Sequence, residues 1–210
     1  MRTNRDNNGP PPAEDNKQRI LQAALREFTE RGLDGARVER IAESAGVNKA
    51  LLYYYYSSKE NLFSSVIDEH FRMILPLIRK TLEDTSDPET ALRQVAAVYA
   101  ELSQRHPEFI RLLVRELAQP DSPMVVRAAE TMKESGVPGQ LRRLLSEGQA
   151  KGTIREFDLR QAAVSFITMN LGYFIMAPIV DRVLQIDDRK QFISERIQAN
   201  VDLFLRGITT

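Results

Sequence analysis

The chain has 210 residues, of which 42% are hydrophobic and 28% charged, a composition that suits a globular protein with a core of its own. It contains no cysteine, which excludes disulfides and thiolate metal sites. Its 29 Lys+Arg balance 29 Asp+Glu, so bulk charge points to no polyanionic partner, and any contact with nucleic acid has to come from a small local patch.

Residues 1–13 are polar and close on Gly9-Pro10-Pro11-Pro12. Such a segment buries too little apolar surface to order itself and reads as a flexible arm, with Arg2 and Arg5 as its cations. No apolar stretch follows those charges, so no signal peptide is expected and a cytoplasmic location fits.

From Glu14 the pattern turns helical. Ile20, Ala24, Leu25 and Phe28 recur at helix spacing, and Gly32 offers a stop. Val38, Ile41, Ala42 and Ala45 form a second short stripe, broken by Gly46. Asn48 then opens a third helix, since its side chain can accept a bond from an amide of the first turn. Ser57 and Glu60 stand at capping-box spacing ahead of a fourth helix, which carries Leu62, Val66, Ile67, His70, Phe71, Ile74 and Leu77. Pro76 is expected to kink it or to mark an irregular turn.

Two short helices meeting at a glycine turn over about 37–56 have the build of a helix-turn-helix, whose second helix enters the major groove by its first residues. Asn48, Lys49, Ala50 and Leu51 then face the DNA. Lys49 can meet a guanine edge or a phosphate, Ala50 leaves room for approach, and Leu51 can touch a thymine methyl. Tyr53 and Tyr54 can donate to phosphates, which set register rather than sequence. Lys59 sits in the first turn of the next helix, where its charge and the free amides attract a phosphate. Residues 1–60 hold 10 Lys+Arg against 9 Asp+Glu, so this head is barely basic. Of the four consecutive tyrosines, Tyr56 is the one expected in the core.

Further helices are expected at about 88–104, 107–118, 123–134, 138–151, 159–181 and 189–206, two of them opened by Asp87-Pro88 and Ser122-Pro123. Strand-type alternation is missing, so the fold class is all-α: an arm at 1–13, a head at 14–74 and a helical body at 75–210. The run from Ala162 to Val180 is free of charge and nearly long enough to span a bilayer, but Ser165, Thr168, Asn170 and Pro178 within it favour a helix buried in protein over a membrane segment. No Glu-x-x-His, His-Glu-x-x-His, Gly-x-Ser-x-Gly or Gly-x-Gly-x-x-Gly occurs, so no enzyme, metal or cofactor is expected.

Ile20, Ala24, Phe28, Gly32, Ile41-Ala42, Ala45-Gly46-Val47, Leu52-Tyr53, Ser58-Lys59-Glu60 and Leu62, at this spacing, resemble the DNA-binding domain of TetR-family regulators. The chain departs from the family pattern at Arg37, where a capping Ser or Thr is common and a phosphate-reaching cation stands instead. It departs again at Asn48, at Leu51 in place of a common Thr, and at Tyr56 in place of Phe. The resemblance implies a homodimeric repressor of a roughly palindromic double-stranded operator, paired through the last two long helices. It also implies a small-molecule inducer bound in the body. Candidate lining residues are Phe71, Ile74, Tyr99, Phe109, Met132, Phe166, Asn170 and Tyr173, a mostly apolar set that suits a hydrophobic or aromatic ligand. The rival reading is a helical interaction module that keeps this head without reading DNA.

Overall fold

The computed structural model describes residues 13–119 and 121–209. The expected arm therefore lies, but for Ala13, outside the described residues. Among those described, secondary structure is helical apart from one isolated bridge between Ile154 and Thr209. The helices are α1 (Ala13–Gly35), α2 (Val38–Ala45), α3 (Lys49–Tyr56), α4 (Lys59–Glu83) and α5 (Pro88–Arg105), then α6 (Pro107–Leu117), α7 (Pro123–Glu134), α8 (Val137–Ala150), α9 (Leu159–Val183) and α10 (Arg189–Ile208). The chain forms two compact units that divide between Val66 and Ile67, inside α4 and earlier than the boundary expected after residue 74.

Local signals explain most helix starts. Asp87, Ser122, Asp158 and Asp188 each accept a bond from a backbone amide of the helix they precede, and proline occupies the first turn of α5 and α7, where its missing N–H costs nothing. The expected stop at Gly32 and the proline expected to kink α4 or mark an irregular turn both lie inside helices. Gly32 takes φ 70° and kinks α1, which resumes to Gly35. Pro76 lies inside α4 without ending it.

The first unit is closed by Ile20, Ala24 and Phe28 of α1, Ile41 of α2, Leu52 of α3, and Leu62 and Phe63 of α4, all buried. Phe28 meets Phe63 edge to face with ring centres 4.9 Å apart. Tyr56 is buried here, as its place in the pattern suggested, and its hydroxyl donates to the Lys17 carbonyl at 3.3 Å.

In the second unit α5, α8, α9 and α10 surround a core that includes Leu92, Ala96, Leu145, Phe166, Val201 and Phe204. Arg93 of α5 reaches Asp202 of α10 at 2.6 Å. Arg127 of α7 holds Asp68 of α4 by two bonds, Nε to Oδ1 at 2.8 Å and Nη2 to Oδ2 at 3.0 Å. Helix α9 is long and apolar enough to cross a membrane by length and composition. The burial expected for it holds on one face only: Ala162, Phe166, Asn170, Tyr173 and Ala177 are buried, whereas Val164, Ile167, Ile175, Met176, Ile179 and Val183 are exposed.

Candidate DNA-reading face and ligand cavity

The turn between α2 and α3 is built by Gly46 and Asn48. Gly46 sits at φ 64° and ψ 37°, a left-handed conformation that glycine adopts without strain. A Cβ there would lie 2.9 Å from the Arg19 guanidinium. Arg19, from α1, donates from Nε to the Ala45 carbonyl at 2.9 Å and from Nη2 to the Gly46 carbonyl at 2.9 Å. It thereby satisfies carbonyls at the negative end of α2 and holds the turn against α1. Asn48 starts α3 with its Oδ1 accepting from the Leu51 amide at 2.7 Å.

These fixings decide what α3 presents. Leu52 and Tyr56 face inward and Leu51 is half-buried, while Asn48, Lys49, Ala50 and Tyr53 are exposed. Tyr53 is 39% exposed and Tyr54 80%, so Tyr54 is the tyrosine most free to reach outward. The expected DNA-facing set is therefore brought to one short helix and its approach, but with conditions. The Oδ1 of Asn48 is committed to the cap, which leaves its amide nitrogen to donate. Lys49 pairs with Glu39 of α2 and lies over the Tyr53 ring, its nitrogen 5.7 Å from the centroid. That contact holds the Glu39 carboxyl below its usual range and raises Lys49. Lys59 is half-buried and donates to the carbonyls of Asp34 and Ala36, each at 3.3 Å, so one of its three N–H donors remains. Arg37 is exposed and precedes α2 without capping it by its side chain. Its backbone amide donates to Glu27 at 3.2 Å.

In the second unit a cavity of about 530 Å³ opens among α4, α5, α7, α8 and α9. Of the ligand residues expected from sequence, Tyr99, Met132 and Phe166 line it together. The other five do not. Phe71 lines a separate, more polar groove of about 460 Å³ between α4 and α7, with Asp68, Arg72 and Arg127. Ile74 is core, and Phe109 is buried under His70, the two rings stacked 4.1 Å apart. Asn170 is turned back on its own helix, where its Nδ2 donates to the Phe166 carbonyl at 2.7 Å. The Tyr173 hydroxyl donates to Asp181 at 2.6 Å, and burial together with that carboxylate raises its pKa. The cavity wall is completed by apolar residues that the sequence alone did not single out, among them Ile78, Leu92, Val95, Leu141, Leu145 and Leu159, and by Arg142 and Arg160. Arg160 is paired with Asp158 at 2.7 Å. Among the described residues no cluster of three or more His, Asp or Glu is arranged to hold a metal.

A helix-turn-helix head followed by an all-helical body defines a DNA-binding transcriptional regulator. The profile of bacterial regulatory proteins of the tetR family matches residues 20–66, and that of the tetracyclin repressor-like C-terminal domain matches 88–202. The chain belongs to the TetR family, whose members are transcriptional regulators and not enzymes. It is 32% identical over 201 residues to the HTH-type transcriptional repressor NicS of Pseudomonas putida, covering 93% of each chain. It is 29% identical over 200 residues to the HTH-type transcriptional regulator RutR of Escherichia coli K12, covering 91% of this chain and 90% of that one. Among solved structures it is similar to the TetR family transcriptional regulator PfmR from Thermus thermophilus, with a TM-score of 0.71 at 25% identity over 91% of this chain and 96% of that one.

Proposed function

We propose that this regulator is a homodimeric repressor that binds a palindromic operator through α3 and is released by a small hydrophobic or aromatic ligand held in the body. The observation that carries the reading is the exposed start of α3, where Lys49, Ala50 and Tyr53 face solvent while Leu52 and Tyr56 anchor the helix from behind. A recognition helix needs that division between a buried back and an open N-terminal front. Asn48, Lys49, Ala50 and Leu51 read bases; Arg37, Tyr53, Tyr54 and Lys59 position the phosphates.

Dimerisation uses the exposed apolar face of α9, with Ile167, Ile175, Met176 and Ile179, together with Leu203 of α10. A contiguous apolar surface of this kind costs solvation free energy until it is covered, and a second copy of the same face is self-complementary about a two-fold axis. Two heads so paired require an operator with half-sites related by that axis. The ligand acts by population shift: it must bind the DNA-incompetent arrangement better than the competent one. Helix α4 runs from one unit into the other and is gripped by Arg127 at Asp68, so its position is the natural quantity for a ligand to bias. The site of action is the bacterial cytoplasm, where the operator is.

Selection of bound sequences from a random duplex pool tests the central reading. Recovery of an inverted repeat is the expected result, and recovery of no consensus sinks it.

A further inference from the structure

Three polar side chains line the cavity of the body, Tyr99, Arg142 and Arg160. The rest of the wall is hydrocarbon apart from backbone and Gly139. Arg160 is already neutralised by Asp158, which receives both its Nε and Nη2. Arg142 makes no ion pair or hydrogen bond among the described residues, and it is both exposed and part of the cavity wall. The Tyr99 hydroxyl likewise has no partner among the described residues, although the residue is half-buried in the wall. A hydroxyl on an apolar cavity wall with no protein partner is a donor left for a ligand, and an unpaired guanidinium is the matching group for a planar anion. Around both, Leu92, Val95, Leu141 and Phe166 offer only apolar contact.

We infer that the cavity takes an organic anion with an apolar body, a carboxylate whose acid group pairs with Arg142 while Tyr99 donates a hydrogen bond to one of the ligand's oxygens. The inference rests on the reading of this cavity as the inducer site and gives that inducer a charge. A volume of about 530 Å³ lies within the usual range for a small organic ligand. The two arginines differ in duty: Arg160 ties the start of α9 to Asp158, and Arg142 is free for the ligand.

The full-length chain is titrated calorimetrically with decanoate and 4-butylbenzoate, and with decan-1-ol and 4-butylbenzyl alcohol, which match them in body and carry no charge. At least one acid binds about tenfold more tightly than its alcohol, the worth of a charge-assisted bond. Arg142→Gln abolishes that preference but leaves alcohol binding in place, Arg142→Lys keeps much of it, and Tyr99→Phe weakens the acid about threefold or more. The inference is overturned if acid and alcohol bind alike, if the preference survives Arg142→Gln, if Tyr99→Phe binds the acid as the native chain does, or if none of the four compounds binds. Release of a selected operator is measured separately. Acids that bind through Arg142 yet leave the operator complex intact refute induction through this cavity and not the ligand class; release by the alcohols alone refutes the ligand class and not induction.

Discussion

Lys49, the first residue of the recognition helix, is held by Glu39 of the helix before it. The pair is solvent-exposed, so its net worth to the fold is small and screened by salt. If Lys49 contacts DNA as proposed, it exchanges one anion for another, and Glu39 sets a negative charge beside that contact.

Neutralising that carboxylate is expected to strengthen binding. Glu39→Gln raises operator affinity by about threefold or more at low salt, because a repulsive charge is removed and Lys49 is released. Lys49→Ala weakens binding, and if its contact is to phosphate the slope of log affinity against log salt falls by about one. Fluorescence anisotropy with a labelled operator across a salt series measures both. Unchanged affinity in Glu39→Gln removes Lys49 from the interface.

Asn48 carries two duties that substitution can separate. Asn48→Ala loses the bond from the Leu51 amide and costs about 1 kcal/mol of stability. Asn48→Asp keeps the cap but sets a negative charge against the DNA, so its melting temperature stays near that of the native chain while operator binding falls. Circular dichroism melts read the first effect and anisotropy the second. Equal losses of stability in both variants contradict the assignment of the Oδ1 to capping.

Two helix-capping aspartates give the protein an acid-sensitive component. The Arg160 guanidinium and amide hold Asp158 at about 2, and the Thr90 hydroxyl and amide hold Asp87 below the usual carboxylate range. A depressed folded value means that stability is fully present above the unfolded value and is lost as pH falls toward the folded one. The native chain therefore loses stability between about pH 4 and 2, and Asp158→Asn and Asp87→Asn each flatten that part of the curve. Urea midpoints measured across this range report it; a curve of identical slope in both variants rules these caps out as contributors.

The uncovered face of α9 predicts a change of assembly. Ile175 and Ile179 are 56% and 59% exposed. Replacing both with arginine desolvates charge wherever that face is covered but little in the separate chain. Sedimentation velocity is expected to give a monomer with native helix content and weakened operator binding, since one head then engages one half-site. A variant that remains dimeric moves the interface elsewhere.

The helical architecture and the helix-turn-helix were legible in the residues because the signals that set them act over a few positions. Asn48 caps α3 three residues on, Asp87 and Pro88 open α5, and Gly46 turns the chain where only a left-handed conformation closes the gap. The apolar spacing of Ile20, Ala24 and Phe28 likewise marked a buried face before its neighbours were known. For the ligand site the same periodicity went only part of the way. It marked Tyr99, Met132 and Phe166 as inward, but Phe109 and Tyr173 carry the same mark, and packing sent one onto His70 and the other onto Asp181.

By itself, then, the chain determined its helices and where most of them start, because those signals act between near neighbours in sequence. Only the tertiary structure decided that Arg19 fastens the turn 26 residues on, that Lys59 spends two of its donors on Asp34 and Ala36, that Lys49 meets Glu39, and that Arg142 is left unpaired beside an apolar cavity. These are pairings between different helices, and a long flexible cation has many partners within reach. Which one it takes is fixed when packing brings the helices together.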